Sequence, residues 1–125
     1  MITIELPWPP KELNPNKWLH WAIKARARDQ AGSDAYYLAM DVKASSSLMD
    51  SYQIVEGKNL RATWTFHPPA LYHYDEDNLV RACKPYQDGV CAALGIDDHQ
   101  IKDTARSIAE VDRPNGRVVM TLEAM

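Results

Sequence analysis

Residues 2–6 place Ile2, Ile4 and Leu6 on one side of the chain and Thr3 and Glu5 on the other. That period-two alternation predicts a half-buried strand. Pro7, Pro9 and Pro10 end it, because a proline has no N–H to give to a sheet ladder. Residues 11–17 read as a loop, with Asn14-Pro15-Asn16 as turn chemistry. From Trp18 to about Ser46 the spacing becomes helical: Trp18, Ala22 and Ala25 recur, then Tyr36 or Tyr37, Met40 and Ala44. Gly32-Ser33 is predicted to break this helix, with Ser33 or Asp34 capping its second half. The Ser-rich residues 45–58 read as a connection.

Leu60, Ala62, Trp64 and Phe66 alternate with Arg61, Thr63, Thr65 and His67, the clearest strand pattern in the chain, and Pro68-Pro69 stops it. Beyond a short Tyr- and His-rich loop, Leu79, Ala82, Cys83, Tyr86, Val90, Ala93 and Leu94 mark a helix with one apolar face. Pro85 inside it must kink the helix or start a second segment, and Gly95 closes it. Ile101 to Val111 predicts a weaker strand. Arg113-Pro114-Asn115-Gly116 is a turn, and Val118, Met120 and Leu122 share one face of a last strand from Arg117 to Leu122. The order strand, helix, strand, helix, strand, strand predicts an α+β fold: a four-stranded mixed sheet with two main helices.

A length of 125 residues with 46% hydrophobic and 25% charged residues suits one globular domain, residues 1–125, rather than a disordered or repetitive chain. No apolar run is long enough to span a membrane, and MITIELPWPP lacks the charged and apolar regions of a signal peptide. Cys83 and Cys91 lie eight residues apart in the predicted helix. Eight helical residues rise about 12 Å, too far for a disulfide. Two free thiols suit a reducing, cytoplasmic location, and this spacing does not suggest zinc.

The net charge of −3 hides two poles. Residues 11–28 hold five bases against one acid, whereas residues 75–103 hold seven acids against three bases. The acidic pole contains Asp75-Glu76-Asp77-Asn78 at a helix start and Asp97-Asp98 past the end of the same helix. Such acids cap orphan N–H groups and favour the positive end of the helix dipole. Equally, a sheet that brings the two connections together would build a carboxylate cluster of the kind that suits Mg²⁺. Asp77, Arg81, Lys84 and Asp88 share the helix face opposite the apolar stripe. They are either a solvated face of ion pairs or a row of cations next to metal-binding acids. In the basic pole, Lys11, Lys17, His20, Trp21, Lys24, Arg26 and Arg28 interleave charge with an aromatic ring. That pattern fits a nucleic-acid footprint or an amphipathic helix that packs Trp. The histidines His20, His67, His73 and His99 form no metal-ligand spacing, and no Gly-rich phosphate loop or nucleophile motif occurs.

These pieces resemble the RusA family of Holliday-junction resolvases, small Mg²⁺-dependent endodeoxyribonucleases of bacteria and their phages. The resemblance runs over nearly the whole chain. Ile4-Glu5-Leu6-Pro7-Trp8-Pro9-Pro10 is similar to the family's first strand and its proline-rich exit. Asp75-Glu76-Asp77-Asn78-Leu79 is similar to its D-x-D-N-L motif, and Asp97-Asp98-His99-Gln100-Ile101 to its D-D-x-Q-V/I motif. The resemblance implies that Asp75, Asp77 and Asp98 bind Mg²⁺, with Mn²⁺ as a substitute, and leaves the count at one or two ions. The family's usual catalytic lysine stands four residues after the second aspartate, where this chain has Arg81. Lys84-Pro85 is similar to a family variant, so Lys84 is assigned as the catalytic cation and Arg81 as a phosphate contact. Lys11, Lys17, His20, Lys24, Arg26 and Arg28 are assigned to DNA. The implied activity is resolution of four-way DNA junctions by paired symmetric nicks, in recombination and repair. Two nicks related by symmetry imply a homodimer, and Trp18, Tyr36, Tyr37 and Met40 are candidates for its interface or, equally, for the core. Two other readings stay open: a junction-binding protein without catalysis, and a metal-dependent hydrolase of nucleotides.

Overall fold

The structure, a computed structural model, describes residues 1–44 and 57–125. Most of the predicted connection, residues 45–56, lies outside the described residues. Strand β1 (Ile2–Pro7) leads through a 3₁₀ turn (Lys11–Leu13) to helix α1 (Trp21–Ala44). Strand β2 (Leu60–His67) is followed by helices α2 (Glu76–Ala82) and α3 (Lys84–Leu94). A second 3₁₀ turn (Asp98–Gln100), strand β3 (Ile101–Ile108) and strand β4 (Arg117–Ala124) complete the chain. The α+β fold with a four-stranded mixed sheet is as the pattern predicts, except that the second helix is divided.

The sheet order is β1-β4-β2-β3. β4 pairs antiparallel with both β1 and β2, so that Met120 lies beside Ile4 on one flank and Trp64 on the other. β3 runs parallel to β2, with Trp64 beside Arg106. The connection between them carries α2 and α3, the crossover that a parallel pair requires. Alternation sorts the residues onto two faces. Ile2, Ile4 and Leu6, then Leu60, Ala62, Trp64 and Phe66, then Val118, Met120 and Leu122 are all buried, in one core with α1 and α3. The other face carries residues such as Thr3, Glu5, Arg61, Thr63 and Thr121 and keeps contact with solvent.

Helix α1 begins at Trp21 and runs unbroken through Gly32-Ser33, against the predicted break. The reason is packing. Its buried residues are Ala31, Ala35 and Ala39, a small-residue stripe that lets α3 approach closely. At the crossing, a Cβ on Gly89 would overlap the carbonyl of Gly32 and come within 3.1 Å of the Tyr36 nitrogen. Gly32 thus belongs to a helix–helix contact, whose burial outweighs the roughly 1 kcal/mol that a glycine costs inside a helix. Pro85 takes the second of its two predicted roles, in the first turn of α3. Tyr86, one residue on, donates its hydroxyl to the Pro7 carbonyl at 2.9 Å and ties α3 to the end of β1. Gly95 ends α3 with φ of 69°, its N–H pointing back to the Cys91 and Ala92 carbonyls.

Candidate nucleic-acid interface and carboxylate sites

The first acidic motif starts α2. Asp75 is its N-cap: Oδ1 accepts hydrogen bonds from the Asp77 and Asn78 N–H groups at 3.0 and 3.2 Å. Asp77 points elsewhere. Its Oδ1 lies 2.6 Å from Nη2 of Arg106 on β3, and Glu76 Oε2 lies 3.9 Å from Nε of the same guanidinium.

The second acidic motif repeats this design. Asp97 caps the 3₁₀ turn by accepting from the His99 N–H at 2.9 Å, while the Gln100 side chain accepts from the Asp97 N–H at 2.9 Å, a capping box. Asp98 is the acid that reaches outward. Lys84 Nζ stands 2.9 Å from its Oδ2 and 3.1 Å from Asp88 Oδ1. Gln87 donates through Nε2 to Asp98 Oδ1. These donors hold the Asp98 carboxyl below the usual aspartate range, Lys84 first and Gln87 second, against a small opposing effect of burial. For Lys84 burial works against the charged ammonium, but hydrogen bonds to Asp98 and Asp88 outweigh it and lift its pKa above the usual lysine value.

The three carboxylates assigned to Mg²⁺ therefore meet groups of the chain itself, Asp75 its backbone and the other two its cations. Among the described residues, no three acidic, His or Cys side chains gather closely enough to hold one ion. Topology is the cause. In a parallel pair the exit of the first strand and the entry of the second lie at opposite ends of the sheet. Asp98 directly precedes the start of β3, whereas Asp77 is anchored by Arg106, five residues further along, about 16 Å at strand rise. Asp98 has both oxygens engaged. In the arrangement described, the set does not fit a three-carboxylate metal centre.

The basic pole meets the α2–α3 segment in a cleft of about 590 Å³. From α1 it is lined by Lys24, Arg28 and Asp29, from the α2–α3 segment by Arg81, Lys84 and Asp88, with Leu13 and Pro15 closing one side. Lys24 and Arg28 are one helical turn apart and so face the same way. Among the described residues, Lys24, Arg28 and Arg81 have no ion-pair partner, while Lys84 is already paired. Four cations against two carboxylates leave the cleft positive in an acidic chain. The division at Cys83 also breaks the predicted single face: Arg81, Lys84 and Asp88 line the cleft, and Asp77 does not.

The remaining assigned residues scatter. Arg26 lines a different, shallow hollow with Ile23 and Gln30, and Lys11 lines the cavity beside Asp75. Lys17 is half-buried in the turn before α1. His20 heads α1, its Nδ1 accepting from the Ala22 N–H at 3.2 Å. The interface candidates divide as well: Trp18 is 89% exposed and Tyr37 66%, whereas Met40 packs partly against the core. Cys83 and Cys91 are free and buried, and burial pushes their thiols up to about 12 and about 11, which removes them as nucleophiles. No helix among the described residues is long and apolar enough to cross a membrane.

No family model matches the chain. Over 122 residues it is 37% identical to an uncharacterized protein of Xylella fastidiosa, an alignment that takes in 98% of this chain and 76% of that protein. The chain belongs to that protein's family. The aligned stretch covers the positions of the cleft residues and of both acidic motifs.

Sequence reasoning missed three contributors. Arg106, which with Arg113 and Arg117 is an alternative DNA surface in sequence, could not be tied to Asp77, because β3 is a weak pattern and a lone arginine on it has no periodic context. Gln87 was hidden among the polar residues of α3. The third is the aromatic group Trp8, Tyr72 and Tyr74, whose rings meet edge-on one after another: Trp8 and Tyr74 centroids are 5.4 Å apart, as are those of Tyr72 and Tyr74. The Tyr-rich loop before Asp75 was the available clue.

Proposed function

We propose that this protein binds branched DNA and acts as a structure-specific endodeoxyribonuclease on four-way junctions, as its resemblance to the RusA family implies. The observation that carries the reading is the cleft. It unites Lys24 and Arg28 with Arg81 and Lys84, residues more than fifty positions apart, and among the described residues three of the four cations have no acidic partner and can meet phosphate. Lys24 and Arg28 would position a strand, and Arg81 would hold a phosphate. Lys84, kept charged by Asp98, would stabilise charge growing on the reacting oxygens. The cytoplasm fits two buried, reduced thiols, and a homodimer fits two symmetric nicks. The resemblance also implies Mg²⁺ at Asp75, Asp77 and Asp98, where it would supply an activated water and neutralise phosphate charge; the arrangement described does not gather these three round one ion, so that part of the reading requires them to move together.

The test is a labelled mobile four-way junction incubated with the protein in Mg²⁺, Mn²⁺ or EDTA. Binding in EDTA with paired symmetric nicks in Mg²⁺ is the expected result. Binding without nicks favours the non-catalytic reading, which the separation of the carboxylates supports. Absence of junction binding overturns both. Replacing Lys24 and Arg28 by Ala is expected to flatten the log–log salt dependence of binding by about 0.9 for each phosphate that is no longer neutralised. Arg26→Ala is expected to leave it unchanged.

A further inference from the structure

Beside Asp75, on the other side of the Lys11–Pro15 segment from the basic cleft, lies a second cavity of about 350 Å³. Leu13 and Pro15 face the cleft, while Lys11 and Asn14 face this cavity, so one short wall separates the two. Trp8, Tyr72 and Tyr74 line it together with Pro9, Pro10 and Leu79. Trp8 is anchored edge-on against the core residue Phe66, with centroids 6.2 Å apart at 78°. Tyr72 is 78% exposed, a large ring set edge-on against Tyr74. The polar residues that line it are Lys11, Asn14, His73, Asp75 and Asn78. Asn14 Oδ1 accepts from the Asn16 N–H at 2.9 Å, which fixes the amide and leaves its NH₂ to donate. Asn78 lines the same space from α2.

We infer that this cavity takes one unstacked nucleobase of the DNA strand whose phosphates lie in the neighbouring basic cleft. The inference rests on the proposed function and names the part of the junction that the site reads. Flat aromatic walls suit a planar ring, which every base presents. The Asn14 NH₂ supplies a donor to a base edge, and the Asn78 amide carries both a donor and an acceptor. Lys11 at the rim supplies charge for the phosphate of the same nucleotide. Bases at a branch point are the least costly to unstack, because part of their stacking is already gone.

The experiment deletes one base at a time from the junction arms and measures affinity in EDTA, for wild type and for Tyr72→Ala. Tyr72 is exposed, so its truncation leaves the core intact. In wild type, one abasic position near the branch is expected to weaken binding about tenfold, the scale of one base–aromatic stack. In Tyr72→Ala that position is expected to lose its effect, because base and ring act on each other, and Tyr72→Phe is expected to restore it. Junction binding in which no abasic position depends on Tyr72 overturns the base pocket and leaves the proposed function standing. If the junction is not bound at all, the proposed function falls, and the cavity is tested alone with the four deoxynucleoside monophosphates. Shifts of the Trp8 and Tyr72 ring resonances, lost in Tyr72→Ala, would then support a nucleotide pocket, and unchanged spectra would overturn it.

Discussion

The two acidic motifs are built alike and held differently. In each, the first aspartate turns inward as a cap, Asp75 on α2 and Asp97 on the 3₁₀ turn. In each, a later aspartate turns outward to a cation. Asp77 meets Arg106 from the edge strand β3, a partner more than twenty residues away. Asp98 meets Lys84 and Gln87, both on α3, and shares Lys84 with Asp88. The cap acids are committed to local backbone. The outward acids are held instead by long, half-exposed side chains. Between them, Asp98 is the better held, by two donors against one guanidinium.

The sharpest break between cap and outward acids should be in catalysis. Asp77→Asn is expected to reduce junction cleavage by more than about a thousandfold, several kcal/mol of missing charge stabilisation, while junction affinity in EDTA holds or rises. Single-turnover cleavage and a binding titration on the same preparation decide this. Near wild-type cleavage would remove Asp77 from the site.

A smaller loss is expected from the cation that separates the two motifs. Lys84→Ala should lower the cleavage rate by about 10²–10³-fold, and Arg81→Ala by less than about tenfold. The opposite ranking would return the catalytic role to Arg81.

Stability should sort the same acids the other way. Asp75→Ala and Asp97→Ala are each expected to cost about 1 kcal/mol through loss of a cap, measured by urea unfolding. Asp77→Asn, which removes one exposed ion pair, should cost within about 0.5 kcal/mol. If the two classes cost the same, the division between cap and outward acids fails.

The smallest effect concerns pH. The Lys84–Asp98 pair is half exposed, so its worth is about 0–1 kcal/mol and is screened by salt. Asp98 is held below its usual value, so its contribution is full above about pH 4 and is lost as pH falls through the lowered value. Lys84 is held above its usual value, so its part is full below about pH 10 and is lost as pH rises through the raised value. The stability difference between wild type and Lys84→Met, followed by urea unfolding from pH 2 to 7, should therefore be constant near neutrality and vanish at the acid end.

The alternations Ile2-Ile4-Leu6, Leu60-Ala62-Trp64-Phe66 and Val118-Met120-Leu122 determined three strands and their inner faces, because period two leaves a half-buried segment no other way to hide its apolar side chains. The caps at Asp75 and the stop at Gly95 were equally local and need no distant partner, whereas Pro85 left a kink and a helix start both open. Gly32 is the counter-example. Alone it reads as a break, and only Gly89 of α3, packed against it, makes it part of a continuous helix. The site divides along the same line. The identities of Lys24, Arg28, Arg81 and Lys84 could be read in sequence as charge, but their meeting in one cleft depends on α1 crossing α3. The separation of Asp77 from Asp98 depends on β3 running parallel to β2. An antiparallel pairing would have set the two connections side by side. Strand direction is chosen by the crossover and the core as a whole, and no pattern within either motif encodes it.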